Sequence, residues 1–227
     1  MAGLVTETSA DDPAALTFRS AMPADVADAV PLIYSSGPSA FDYVFDIGTP
    51  LGAQEFLRFA YLRGGGEFGW QAHRVAEING RVAAAGAAFD GRAVLRFTIA
   101  GALQILRFYG PIRAWGVMIR GLRTETVIRP PRVEEYYLCH LGVREEMRGQ
   151  GIGAHFIRYL LEGLDANRHR CAALDVAVTN PRAHLLYERL GFAVDVLRSS
   201  QLQNRRGRVV DHYRMSRIGD PIMVARR

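Results

Sequence analysis

The sequence predicts an α/β domain with strands and helices interleaved, and three observations carry that prediction. An apolar run, Tyr136–Val143, passes through a glycine-rich turn, Arg148–Gly153, into Ala154–Leu161, where apolar residues recur at helical spacing. Two further strand-like runs, Gln71–Glu77 and Arg81–Ala88, meet at Asn79-Gly80, a dipeptide suited to the left-handed backbone of a tight hairpin. The chain has 227 residues, 49% of them hydrophobic, which suits one domain with a sizeable core.

The elements follow in order. Residues 1–15, with Thr6, Thr8, Ser9, Asp11, Asp12 and Pro13, are expected to form a disordered tail, leaving one domain over 16–227. Leu16–Arg19 suits a first strand, and a helix near Pro23–Ser35 must accommodate Pro31. Ser39–Asp46 reads as an aromatic and acidic loop before a helix near Ala53–Leu62, which Gly64-Gly65-Gly66 ends. After the hairpin, Ala93–Arg132 carries Leu95, Ile99, Leu103, Leu106 and Tyr109, then Ile112, Trp115, Met118, Ile119 and Leu122. These predict two amphipathic helices broken at Gly110-Pro111. Val133–Val143 is the expected central strand, Gly153–Ala166 a helix, Ala172–Val178 a strand and Arg182–Leu190 a helix. Ala193–Leu197 and Val209–Met215 are the terminal strands, joined by a turn at Asn204–Gly207.

Composition narrows the setting. Cys139 and Cys171 fall in or beside strands and read as reduced core residues of a cytoplasmic protein. No signal segment opens the chain, and no uncharged apolar run is long enough to span a membrane. The formal net charge is +5, and every basic residue is arginine. Segment 93–132 holds Arg96, Arg107, Arg113, Arg120, Arg123, Arg129 and Arg132 against Glu125 alone, seven minus one, so the rest of the chain is close to neutral. Such an insert fits a packed helical pair or a homodimer interface, arginine stems covering apolar surface. It also fits a lid over a binding site. Peripheral membrane contact is a lesser fit. No groove-reading motif accompanies the arginines, so nucleic acid is not the expected partner.

The glycine turn carries the chemistry. A strand, a glycine turn and a helix N-terminus expose unpaired N–H groups and the positive end of a helix dipole, which together hold a phosphate. Gly149, Gly151 and Ala154 also satisfy the dinucleotide pattern G-x-G-x-x-G/A, with Asp175 in the next strand. A dinucleotide fold, however, puts that pattern after its first strand and needs several more βα units. Only about a third of this chain follows the turn, and no Gly-Lys-Ser/Thr exists to make a P-loop.

Two blocks decide between these readings. Arg148, Gly151 and Gly153 fill the pattern Gln/Arg-x-x-Gly-x-Gly/Ala, and Asn180 through Phe192 contains Asn, Ala183 and Tyr187-Glu188-Arg189-Leu190-Gly191-Phe192. In this order and spacing they resemble the coenzyme A motif and second signature of the GNAT superfamily of acyl-CoA N-acyltransferases. The resemblance covers about residues 133–195 and extends weakly beyond. It implies a mixed, mostly antiparallel central sheet flanked by helices, with splayed central strands and a helical insert at 93–132 between the third and fourth strands. It further implies acetyl-CoA as acyl donor, no metal, and a small-molecule or protein amine as acceptor. By the same resemblance the main chain of Leu141, Gly142 and Val143 holds pantetheine. Arg148, Gly149, Gln150, Gly151, Ile152, Gly153 and Ala154 hold the pyrophosphate, Arg144 adds charge, and Asn180 touches the pantetheine arm. Tyr187 matches the tyrosine that protonates the departing thiolate.

The general base is the departure. Where the family often places a carboxylate on the central strand, this chain has Tyr137; Glu135, two residues earlier, shares its face and is the candidate. Asp42, Tyr43 and Asp46 lie in a segment that borders the acceptor in this superfamily, and Tyr137 is placed with them. His155, His169 and His184 show no ligand spacing. A coenzyme A-binding regulatory protein of the same fold, with little catalysis, is the alternative that the missing base leaves open.

Overall fold

The computed structural model describes residues 16–218; the expected tail at 1–15 and the segment 219–227 lie outside the described residues. Strands β1 (Leu16–Ser20), β2 (His73–Ile78) and β3 (Arg81–Asp90) form an antiparallel meander, turned at Asn79 and Gly80, both at positive φ. β4 (Glu135–Val143) pairs antiparallel with β3, and β5 (Cys171–Ala177) parallel with β4. β7 (His212–Ile218) lies antiparallel to β5, and β6 (Ala193–Arg198) closes the far edge on β7. The sheet therefore holds one parallel pairing among antiparallel ones, unlike the all-parallel sheet that a dinucleotide reading of the glycine turn requires.

Side-chain alternation divides the core between the two faces. Val75, Val82 and Ala85 turn toward α1 (Val26–Ser35) and α3 (Ala53–Arg63). Their neighbours Ala76, Ala83 and Ala84, with Leu138, Leu174 and Met215, turn toward α5 (Ile152–Leu161) and α6 (Pro181–Arg189). Alanines along β2 and β3 leave room for Phe156 and Ile157 of α5 to sit close to the sheet.

One expected loop is a helix. Ser39–Phe45 lies in α2 (Pro38–Phe45), with Asp46 as its C-cap, and Pro38 supplies a helical φ at the first turn. Helical spacing brings Phe41, Val44 and Phe45 inward, a periodicity that aromatic and acidic composition concealed. The insert is α4 (Val94–Thr124), two helical segments meeting at Gly110, whose φ of 75° only glycine adopts readily, followed by Pro111. Tyr109, Ala114 and Val117 of α4 are buried with Phe45, Phe56 and Ala60 of α2 and α3.

Two irregularities in β4 make the site. β4 and β5 pair only at Glu135↔Cys171, Tyr136↔Ala172 and Tyr137↔Ala173, after which they part. Opposite Gly86 of β3 the register shifts, so that His140 and Leu141 face one residue. A Cβ on Gly86 would come within 2.6 Å of the Leu141 side chain, so glycine admits the bulge. His140 takes a φ of 56° there, uncommon for a residue with a side chain.

Candidate active site

The parted strands open a gap with the turn before α5 at its end. Gly149 and Gly151 take φ of 82° and 80°, and Gly151 is the N-cap of α5, so the backbone turns sharply into the helix. The N–H groups of Ile152, Gly153 and Ala154 fall in the first helical turn, where no intrahelical carbonyl reaches them. A Cβ on Gly149 would meet nothing within 4 Å, so that position is open to an incoming anion. Arg148 folds back, its Nε donating to the Val143 carbonyl at 3.0 Å, and Gln150 Nε2 lies 3.4 Å from the Glu146 carbonyl. Arg144 is spoken for: it donates to Asp28 and to the Val82 carbonyl. Gly142 serves packing, because a Cβ there would stand 2.1 Å from the Leu32 carbonyl of α1.

α6 brings the second block to the same gap. Asn180 caps α6 by accepting from the Ala183 N–H, which leaves its amide nitrogen free to donate. Tyr187 is buried among Ile152, Phe156 and Phe192, and burial pushes its hydroxyl up to about 12, so it stays protonated and able to donate.

Glu135 and Tyr137 sit in a different network. Oε2 of Glu135 accepts from Arg214 and from the Arg132 N–H, and Arg214 also donates to Asp175 at 2.7 Å. Tyr137 donates to Asp175 at 2.9 Å, beneath the Arg214 guanidinium, which lies 4.8 Å from its ring centroid. Burial raises Asp175, and Arg214 opposes the rise. Both contacts fall on the same oxygen, Oε2, so Glu135, the candidate base from sequence, is an ion-paired carboxylate at the strand end. Asp175, bound in this way, is not the free acid that a ribose would need.

The acceptor residues divide. Asp42 and Asp46 lie one helical turn apart and, with Tyr34, Glu55 and Arg206, line a cavity of about 300 Å³. Tyr34 donates to Asp42 at 2.9 Å. Tyr43 is a correction: helix formation turns it inward, 3% exposed, and it packs in the core with Val44 and Phe45. The β6–β7 connection forms part of the wall, Asn204 donating to the Tyr43 carbonyl at 2.9 Å.

A cluster that sequence reasoning missed lies at the bulge. Glu67, from the glycine loop after α3, approaches His140, whose Nε2 is 3.5 Å from Oε1. His140 Nδ1 lies 3.3 Å from Nε2 of His73 and 3.7 Å from Cys139 Sγ. His73 Nδ1 lies 2.9 Å from the Gly69 carbonyl. Glu67 is hemmed in by protein yet keeps 39% of its side chain accessible. Burial raises its carboxyl to about 7, with Glu125 adding to the rise. Burial lowers His73 to about 4 and His140 well below 6.5, and it raises Cys139, so both rings and the thiol are neutral at pH 7. The donor atoms of Glu67, Cys139 and His140 lie within 4.8 Å of one another. The contacts of the two His140 ring nitrogens link these groups into a hydrogen-bonding cluster. Gly64-Gly65-Gly66 was legible as a helix stop, but nothing local to Glu67 marks it as near His140, 73 residues later.

The profile of the Acetyltransferase (GNAT) family matches residues 57–192, more than half of the chain and all of the glycine turn, β4, β5 and α6. The chain belongs to the GNAT family of acetyltransferases. A 5-NmdU N-acetyltransferase from Pseudomonas phage PaMx11 is 36% identical over 63 residues, which cover 28% of this chain and 43% of that relative. Among solved structures, an N-acetyltransferase from Staphylococcus aureus Mu50 aligns over 88% of this chain and 99% of its own, with TM-score 0.63 and 18% identity. A GCN5-related N-acetyltransferase from Kribbella flavida aligns over 90% and 98%, with TM-score 0.53 and 16% identity. At such identities the structures establish the shared fold. The GNAT fold accounts for the parted strands, the bulge and the glycine turn together. Among the described residues, no helix is long and apolar enough to cross a membrane.

Proposed function

We propose that this GNAT protein is an acetyl-CoA-dependent N-acetyltransferase, moving an acetyl group by direct attack of a primary amine in a ternary complex. The observation that carries the reading is the gap between β4 and β5 beyond Tyr137, with the Gly149–Gly151 turn at its end. Coenzyme A would lay its pantetheine along Leu141 and Val143 as an extra strand, using main-chain groups that β5 leaves unpaired. Its pyrophosphate would take the N–H groups of Gly149 through Ala154. Asn180 donates to the pantetheine arm. Tyr187 gives its proton to the coenzyme A thiolate as the C–S bond breaks, which lowers the cost of expelling it. The acidic cavity beside Asp42 and Asp46 suits a cationic amine, small or on a protein. The phage relative is named for N-acetylation of 5-NmdU, so an acceptor of that kind joins the class. The apolar residues exposed on α4, among them Leu95, Ile112 and Trp115, are where a second copy would dock if the protein is a dimer.

Calorimetric titration with acetyl-CoA, coenzyme A and NAD tests the reading. Micromolar binding of the first two without NAD, followed by thiol release with an amine panel, is the expected result. Clean folding with no acetyl-CoA binding removes the enzyme reading, and binding without turnover favours a regulatory protein.

A further inference from the structure

Hydrogen bonds fix the protons of the cluster at the bulge. A carbonyl oxygen only accepts, so His73 Nδ1, 2.9 Å from the Gly69 carbonyl, carries a hydrogen. A neutral His73 then has a lone pair on Nε2, and His140 Nδ1, at 3.3 Å, must be the donor to it. The two rings lie within 15° of parallel with centroids 5.4 Å apart, an arrangement compatible with an in-plane hydrogen bond between them. His140 is left with its lone pair on Nε2, 3.5 Å from Oε1 of the partly accessible Glu67. The chain Gly69, His73, His140 thus performs the orientation that a third group gives a catalytic base elsewhere. Leu141, next in sequence, carries the main chain assigned above to the pantetheine arm.

We propose that His140 Nε2 accepts the proton of the acceptor ammonium, with His73 as the positioning residue that sets its tautomer and Glu67 as the exit for that proton. The inference rests on the acetyltransferase reading. The neutral amine attacks the thioester carbonyl carbon and the C–N bond forms. The C–S bond then breaks, and the nitrogen's second proton leaves as the amide forms. Tyr187 protonates the thiolate and is restored by that second proton. The first proton passes from His140 to the Glu67 carboxylate and then to water, so one proton is released per turnover.

The groups facing His140 are Glu67 from the loop, His73 from β2 and Cys139 from β4, while Phe41 of α2 and Phe68 pack beside it without charge. Arg74 acts on His73, Glu125 on Glu67, and Glu67 and Asp175 on Cys139. Burial raises Glu67 to about 7, and only its deprotonated form takes the proton from His140. Activity therefore rises as Glu67 loses its own proton.

Two measurements test this on the full chain. Nitrogen-detected NMR of the histidines at pH 8, without ligands, reads the tautomers directly. A hydrogen on Nδ1 and a bare Nε2 is expected for both His73 and His140; a hydrogen on His140 Nε2 overturns the proposal. The second is the pH profile of acetyl transfer to spermidine, tyramine and an alanyl peptide, with acetyl-CoA binding followed by calorimetry. His140→Gln is expected to lower kcat by about 100-fold or more, abolish the acid limb and leave acetyl-CoA affinity unchanged. Glu67→Gln shifts that limb to lower pH, and His73→Phe lowers kcat with little change in KM. Transfer by a folded His140→Gln within threefold of the native enzyme, its acid limb intact, overturns the proposal. So does activity that a chelator abolishes and zinc restores, because the lone pair is then a metal ligand. If the native protein binds acetyl-CoA but transfers to none of the three amines, the transferase reading has failed, and the NMR result still judges the relay.

Discussion

Tyr187 shows how one side chain can be read twice. A buried helical tyrosine is ordinary core packing, and it packs here on Phe192 with ring centroids 6.1 Å apart. Its raised pKa makes it a proton donor at neutral pH. Tyr187→Phe keeps the packing and removes the proton, so kcat should fall about 100-fold while calorimetry finds acetyl-CoA affinity within twofold. Gly151 is the converse case, where backbone matters. Valine at φ 80° costs about 1–2 kcal/mol, and Gly151→Val should both lower the melting temperature and weaken coenzyme A binding about tenfold or more. Both residues were legible in sequence because their motif fixes them. Glu135 was not, because its partner Arg214 lies on β7, and no local pattern announces an ion pair 79 residues apart.

Among elements, α4 was visible in outline and not in role. Its apolar spacing and Gly110-Pro111 break predict two helices, and the chain forms them. Sequence could not say which face would be covered, and much of it stays exposed: Ile112 is 90% accessible. The buried side acts on the site. Tyr109 donates to the Phe45 carbonyl at 2.6 Å and Arg120 to Val44 at 2.9 Å, fixing the end of α2. Gln104 donates to the Gly65 carbonyl at 2.6 Å in the loop that carries Glu67. Tyr109→Ala should cost about 3–5 kcal/mol in urea unfolding, whereas Ile112→Ser should change stability by less than about 0.5 kcal/mol. Equal effects would contradict this division of faces. α2 was missed as a helix because eight residues hold barely two turns of periodicity, and Asp42 and Asp46 read as loop residues until their spacing is helical.

For the whole molecule, the cluster couples stability to pH in opposing directions. Glu67 titrates near 7 when folded and at 4.5 when unfolded, so the folded state holds the extra proton between these values. Its contribution to stability therefore falls as pH rises from about 4.5 to 7. His73, lowered from 6.5 to about 4, gives a contribution that rises with pH across that window, and lowered His140 acts in the same sense. Glu67→Gln removes the falling part alone. Its melting temperature relative to the native protein should climb steadily between pH 4.5 and 7 and then level, as calorimetry across buffers would show. A flat difference would mean that the Glu67 carboxyl titrates normally in the folded protein.

Local features of the sequence determined what local physics controls: the hairpin at Asn79-Gly80, the glycine turn into α5, the cap at Asn180, and the order of strands and helices. Each depends on residues a few positions apart. Tertiary structure decided what long-range packing controls. The parting of β4 from β5, the bulge allowed by Gly86, the pairing of Glu135 with Arg214 and the meeting of Glu67, His73 and His140 all join segments far apart in the chain. The glycine turn was therefore readable in advance and the ion pair and histidine cluster were not, because a turn is made of local backbone conformation and a cluster is made by neighbours from distant segments.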